Sequence, residues 1–325
     1  MFHRYLRDFV SPSAKVKYDL HVVEEVAGEI KEGFLFTESE KIPISGYLPR
    51  FVSSENYADS FGLQWNIFER TQIDSSNFSD LTSQRFYRGT GWAPGEIRGN
   101  KILEAGSGAG RFTEILLKAG AIVYSFDLSE AVEANYRNNR NKKLCLFQGD
   151  IYHIPLEEHS FDKVFCYGVL QHTPNPKKAF LSLVKYLKPG GQISVDCYLK
   201  DGSIRPWKSK YLWRPLTTKM NERRLLNIIK FYIPLWFPID TFIKNIPLAG
   251  RYLGSIIPCW NCSGRIHGKQ ELLEWAIMDT FDARGAKYDK PQTIEDIQSW
   301  FHEARLKNIE VVKGSNGVVG NGTRT

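Results

Sequence analysis

The residues with the clearest chemical potential lie at turns between positions 104 and 172. Glu104-Ala-Gly106-Ser-Gly108-Ala-Gly110-Arg111 follows an apolar run and opens a helical pattern. Glycines there permit a tight turn and let a ligand lie against the backbone, and free amides at a helix start can receive polar ligand atoms. A dinucleotide fingerprint needs its third glycine one place later, where this chain has Arg111. The spacing is therefore GxGxG, with an acid two positions before the first glycine, and a nicotinamide dehydrogenase fails on it. Asp127 ends the run Tyr124-Ser-Phe-Asp127, 21 residues after Gly106, where a carboxylate can hold a ribose diol. Gln148-Gly-Asp150 brings a third acid to the same crevice, suited to an adenine amino group. His172 closes Gly168-Val-Leu-Gln-His172, and its unperturbed pKa suits a general base.

These turns need a sheet to hold them. Lys101–Ser107, Ala121–Asp127, Leu144–Gly149, Phe161–Val169 and Gln192–Tyr198 read as buried parallel strands. Between them, Arg111–Ala119 has helical spacing, with Phe112, Ile115, Leu116 and Ala119 on one face and Gly120 as a stop. Ser129 can cap a helix over Glu130–Arg140. Pro176–Leu187 reads as a helix ended by Lys188-Pro-Gly-Gly191. Strands alternating with helices predict right-handed βαβ units and a doubly wound α/β sheet. Asn308–Lys313 and Gly317–Gly320 flank a Gly-Ser-Asn-Gly turn, so the sheet is expected to finish in an antiparallel pair.

The chain has 325 residues, enough for roughly two domains at about 150 residues each. Hydrophobic residues at 42% and charged residues at 24% exclude a disordered, collagen-like or coiled-coil chain. A net charge of +7 permits an acidic partner without requiring one. Five cysteines make no disulfide scaffold and suit a reducing compartment. Charges interrupt the first ten residues before a signal-peptide core can form. No run of about 18 uncharged apolar residues exists. A cytoplasmic protein is expected, with contact at a membrane surface left open.

The run LEAGSGAGRF…FDLS…FQGDIYHIPLEEHSFDKVFCYGVLQHTPNP…LKPGGQISV, over about Lys101–Tyr198, resembles the class I S-adenosylmethionine-dependent methyltransferases. The resemblance implies a Rossmann-like seven-stranded sheet with an antiparallel last strand, and S-adenosylmethionine as cofactor. It places Gly106, Gly108 and Gly110 beside the methionine part of the cofactor, with Glu104 ordering the loop. It gives Asp127 the ribose hydroxyls, and Asp150 with the Ile151 backbone the adenine. His172 would lie beside the transferred methyl, as base if the acceptor is a hydroxyl.

A second resemblance covers the start of the chain. Residues 11–14, Gly33–Glu40 and Ile42–Phe51 are similar to a small zinc-ribbon-like segment that opens many methyltransferases of glycan and secondary-metabolite clusters. The four ligand positions would be Ser11, Ala14, Thr37 and Glu40, so no thiolate remains and no zinc is expected. Phe61–Trp65, with Gln64 and Trp65, is expected to cover the cofactor. The group resemblance implies an enzyme that methylates a hydroxyl of a sugar, a lipid-linked glycan or another small molecule. An RNA methyltransferase and a non-catalytic cofactor-binding protein stand as alternatives. No RNA-binding module is recognisable, which disfavours a nucleic-acid partner.

The expected domains are 1–52 (the ribbon-like β segment), 53–199 with 300–325 (the core) and 200–299 (a helical insert). From Lys200 to Lys269 there are thirteen Lys and Arg against three Asp and Glu, so this segment carries +10 where the whole chain carries +7. Such an insert is expected to form a lid over the acceptor pocket, and its basic, amphipathic character would suit peripheral contact with an anionic lipid surface through 200–269. His267, Asp279, Asp282 and Tyr288 are further candidate bases there. Cys259, Cys262 and His267 resemble half of a zinc site, too few ligands to predict a metal.

Overall fold

The computed structural model describes residues 1–53, 56–77, 79–200, 209–246, 250, 257–260 and 268–325. Its centre is a mixed seven-stranded sheet of β5 (Lys101–Ala105), β6 (Ile122–Asp127), β7 (Leu144–Gln148), β8 (Phe161–Cys166), β9 (Leu187–Cys197), β10 (Leu306–Gly314) and β11 (Gly317–Arg324). The strand order is β10-β11-β9-β8-β5-β6-β7. β5 pairs in parallel with both β6 and β8, so the winding reverses at β5 and opens a crevice at the carboxyl ends of these strands. β11 runs antiparallel to both β9 and β10. This is a Rossmann-like α/β fold with the antiparallel end that the terminal hairpin predicts.

The buried runs explain the strands. Ile102, Leu103, Phe126, Phe147, Val164 and Ile193 are buried, as a sheet covered on both faces requires. The covering helices include α5 (Arg111–Lys118), α6 (Ala131–Asn139) and α7 (Pro176–Val184). In α5, Phe112, Ile115 and Leu116 are turned into the core. At α7, Pro176 occupies the first turn, and the Asn175 side chain accepts the Lys178 amide at 3.0 Å.

One boundary differs from expectation. Lys188-Pro-Gly-Gly191 is not a loop but lies inside β9, which starts at Leu187. Phe161 pairs with Leu187, and the register shifts between Phe161 and Lys163. A Cβ on Gly191 would stand 2.9 Å from the Lys188 carbonyl oxygen, so the glycine pair forms an irregularity in the strand rather than ending it.

A second, antiparallel sheet of β1 (Asp19–Val26), β2 (Glu29–Phe36), β3 (Lys41–Ser45) and β4 (Leu48–Pro49) precedes the core. It covers the β7 edge of the main sheet. Arg50 bridges Gln148, and the Phe51 amide donates to the Gln148 carbonyl at 2.9 Å. The rings of Phe9, Phe51 and Phe147 close this seam with centroids 5.3–5.7 Å apart. Next come α1 (Asp59–Ile67), α2 (Asp74–Asn77), α3 (Leu81–Thr90) and α4 (Pro94–Ile97).

After β9 the chain forms α8 (Ser209–Thr217), α9 (Glu222–Lys244) and α10 (Lys269–Gly285). Leu225, Leu226, Ile229 and Ile233 of α9 share an apolar cluster with Ala276, Met278 and Phe281 of α10 and with Phe68. A strap over residues 286–293 then crosses the ends of the strands. The Lys290 amide donates to the Gln171 carbonyl and the Gln292 amide to the Tyr198 carbonyl, both at 2.8 Å. Thr293 caps the last helix, α11 (Ile294–Glu303), which packs on β10 and β11. Among the described residues no helix is long and apolar enough to cross a membrane.

Candidate active site

The glycine loop joins β5 to α5. Gly106, Gly108 and Gly110 all have left-handed backbone, at φ of 75°, 53° and 87°. A side chain at Gly106 would also drive into Val169, with the Cβ only 2.2 Å from Cγ2. At Gly110 the Cβ would meet Asn135 Oδ1 at 2.1 Å. So the glycines let the loop press against protein on its outer side while its backbone faces the crevice. Gly106, Ser107 and Gly108 line the crevice, whereas Gly110 caps α5 and does not.

The first three amides of this loop are already bonded within the protein. Those of Gly106 and Ser107 donate to the Phe126 carbonyl at 2.8 and 3.1 Å. The Gly108 amide donates to Asp127 Oδ2 at 2.9 Å. These three amides are thus spent on fixing the loop to the end of β6. Glu104 fixes the loop from below. It is buried, accepts the Thr113 hydroxyl and the Ser125 hydroxyl, and burial pushes its carboxyl up to about 7. It does not line the crevice, in keeping with an ordering role.

Asp127 does line the crevice. Burial raises its carboxyl, against hydrogen bonds from Ser129 Oγ at 2.7 Å and from the Ser129 and Gly108 amides, both at 2.9 Å. Ser107 Oγ is buried and has no partner among the described residues. A carboxylate and an orphaned hydroxyl beside a backbone wall fit a ribose and its flanking chain. Gly149 and Ile151 line the adjoining end. Asp150 lies between them but is not among the lining residues. Its carboxylate accepts the Tyr152 amide at 3.0 Å and meets His153 Nδ1 at 3.1 Å. Gln64 and Trp65 of α1 also line the cavity, and the Trp65 indole sits over Gly108.

The cavity continues past the glycine loop for about 1390 Å³ in all. That exceeds the roughly 300–1,000 Å³ of a single small-ligand pocket. His172 also lines it, between the rings of Phe61 and Tyr198 at 5.0 and 5.4 Å. His172 Nδ1 is 2.9 Å from the Tyr288 carbonyl oxygen. A carbonyl only accepts, so Nδ1 carries a proton, and in the neutral ring the lone pair is then on Nε2. The ring does not cap α7, because Asn175 does.

Sequence reasoning missed several groups on this side. Arg85 forms an ion pair with buried Asp196, which also accepts the Gly168 amide. Asp196 was detectable as an acid inside the apolar run Ile193–Tyr198, at the carboxyl end of a parallel strand. Arg111 lines the cavity with one nitrogen on Gln72, and burial together with the Arg85 charge makes its cationic form less comfortable than in water. A guanidinium in that state gains from any carboxylate or phosphate that enters. Of the other candidate bases, Asp279 and Asp282 line the cavity, and Asp282 accepts the Tyr198 hydroxyl at 3.3 Å. Tyr288 contributes its carbonyl to His172 and its ring to Tyr57. Cys262 and His267 lie outside the described residues. No cluster of three His, Cys, Asp or Glu able to hold a metal occurs among the described residues.

Known proteins resemble this chain in its central part. Residues 103–195 match the family model described as a methyltransferase domain. The ubiquinone biosynthesis O-methyltransferase of Coxiella burnetii is 30% identical over 100 residues, covering 30% of this chain and 43% of that enzyme. The demethylmenaquinone methyltransferase of Renibacterium salmoninarum is 28% identical over 132 residues, covering 40% of this chain and 55% of that enzyme. The chain thus spans about half the length of these curated relatives. Among solved structures, magnesium protoporphyrin IX methyltransferase from Synechocystis, with SAH bound, gives a TM-score of 0.40 at 13% identity, covering 84% of this chain and 90% of that one. With the strand order and the glycine loop already fixed by the structure, the match over residues 103–195 makes this part of the chain a class I methyltransferase domain whose cofactor is S-adenosylmethionine.

Proposed function

We propose that the whole chain is an S-adenosylmethionine-dependent methyltransferase acting on a hydroxyl of a sugar, a lipid-linked glycan or another small molecule. The observation that carries this reading is one continuous cavity lined both by Asp127 and by a histidine whose Nδ1 proton is held by a main-chain carbonyl. Asp127, Ser107 and the Gly106–Gly108 backbone would hold the cofactor, with Gly149, Asp150 and Ile151 at its adenine end and Trp65 as cover. The bound cofactor supplies a methyl on a sulfonium, an electrophile that needs mainly an aligned nucleophile. His172 Nε2 takes the proton of the acceptor hydroxyl, and the Tyr288 carbonyl stabilises the imidazolium that forms. Arg111 orients any anionic group the acceptor carries. The printed name of the Coxiella relative, an O-methyltransferase, favours oxygen as the acceptor atom.

The N-terminal sheet reads as a zinc-ribbon-like segment without its thiolates. In support, Ser11 Oγ meets Glu40 and accepts the Ala14 amide at 3.0 Å, while Thr37 Oγ1 accepts the Glu40 amide at 3.2 Å. The four positions thus form one hydrogen-bonded group where a metal would otherwise tie the two turns.

The test is incubation of the protein with methyl-labelled cofactor and fractionated metabolite extract. A small-molecule product carrying the label on oxygen supports the reading. Label on nitrogen or carbon, or label found only in RNA, overturns it.

A further inference from the structure

The outward face of α9 divides into a basic end and an apolar end. Arg223, Arg224 and Lys230 are exposed in its first turns. Beyond them Phe231, Leu235, Ile239, Phe242 and Ile246 are 75%, 65%, 48%, 73% and 40% exposed, the last of them just past the helix end. They recur every three or four residues and so form one stripe. The opposite face of α9 is already buried against α10 through Leu225, Leu226, Ile229 and Ile233. This helix is therefore apolar on two sides, and the lid's own core accounts for only one of them. A contiguous stripe of this kind marks an interaction surface.

The charges say what the surface fits. Asp240, the one acid in the second half of α9, is buried and paired with Lys244 at 2.8 Å. Glu222 at the helix start is half-buried. The fully exposed charges of α9 are thus all positive, in a segment of +10. A second copy of the chain meeting this face with its own α9 would bring no acidic complement to Arg223, Arg224 and Lys230. Pro234 and Pro238 lie within the helix, and prolines at such positions favour kinks that a straight two-helix seam tolerates poorly. A bilayer has neither difficulty. Its anionic headgroups suit the basic end, and its acyl boundary takes an apolar helix face to a depth of about 5–10 Å.

We propose that α9 docks on the surface of an anionic lipid bilayer, with Phe231, Leu235, Ile239 and Phe242 in the acyl boundary and Arg223, Arg224 and Lys230 among the headgroups. Tyr211 of α8 lines the cavity, and Leu212 and Leu216 on that helix are exposed, so apolar surface continues outward from the cavity along α8. An acceptor with an apolar tail could then enter without leaving the membrane, a consequence that rests on the proposed methyl transfer. The docking itself does not.

Vesicle flotation of the full chain tests it, with no cofactor present. The protein should float with phosphatidylglycerol–phosphatidylcholine vesicles at low salt and less at high salt, and should not float with phosphatidylcholine alone. Phe231→Ser and Phe242→Ser should each weaken binding about tenfold, the transfer value of one large apolar side chain. Both residues are exposed, so an unchanged thermal melt would confirm that the variants fold. Absence of binding to the anionic vesicles at low salt overturns the proposal. So does a concentration-dependent dimer, seen by sedimentation and abolished by the same two variants, with no vesicle binding.

Discussion

On the glycine-loop side of the cavity, the backbone wall and its carboxylate come from one short stretch between Gly106 and Asp127, covered by Gln64 and Trp65 of α1. On the lid side the polar groups come from α3, α5, β9, α10 and the turn after β8 that carries His172. The Arg85–Asp196 pair bridges 111 residues, and the Tyr198–Asp282 bond bridges 84. The first side is held by main-chain bonds to the end of β6, so it cannot vary without losing the turn. The second is a set of side chains on separate elements, each replaceable alone. A cleft made this way can keep one ligand while changing the other.

The sharpest way to break this contrast is to remove the group that faces the reaction. His172→Ala should lower turnover roughly 10²–10⁴-fold while leaving affinity for S-adenosylhomocysteine unchanged by calorimetry. Unchanged turnover would leave His172 as a packing residue between Phe61 and Tyr198.

The second test concerns Glu104, which belongs to the rigid side. Its folded value of about 7 lies above the ordinary 4.5, so the native state binds the proton more tightly than the unfolded chain does. Its contribution is fully present below about pH 4.5 and is lost as the pH rises through 7. Urea unfolding of the ligand-free protein should show wild type losing about 3 kcal/mol relative to Glu104→Gln across that window, at 1.36 kcal/mol per pKa unit. Parallel curves for the two proteins would mean that Glu104 is ionised throughout.

The smallest expected effect is at Asp127. Asp127→Ala should weaken S-adenosylhomocysteine binding by about 1.5–3 kcal/mol, the range for hydrogen bonds to a charged group. Part of that loss would come from the Gly108 amide, which loses its acceptor. Asp127→Asn leaves one acceptor oxygen, which serves either the Gly108 amide or Ser129 but not both, so a smaller loss there than in Asp127→Ala would measure what one loop-fixing bond contributes. Wild-type affinity in both variants would remove Asp127 from the site.

This division also explains what could be read in advance. Strands and helices from Lys101 to Cys197 follow from apolar runs and glycine stops, which are local. Gly106, Asp127 and His172 share the cavity because strand ends in this winding must meet at the reversal. The participation of Arg85 could not be derived from spacing, since no neighbour in sequence announces it, whereas Asp196 stands out as an acid within an apolar strand run. Lys188–Gly191 was misread because a proline and two glycines signal a turn, while the pairing of Leu187 with Phe161 had already started the strand. The exposure of Phe231 and Phe242 was equally hidden. A helix apolar on both faces looks like a buried one until its neighbours are counted.

The proton on His172 is held by the carbonyl of Tyr288, not by a side chain. A carboxylate partner could be deleted by one codon change, but a peptide carbonyl is present whatever residue stands at 288. The tautomer is therefore insured against point mutation at its own partner and exposed instead to changes of length. An inserted or deleted residue in the strap over 286–293 would shift the carbonyl away from Nδ1 while leaving every side chain of the site in place. Drift at 288 should be silent for the base, and indels a few residues away should not.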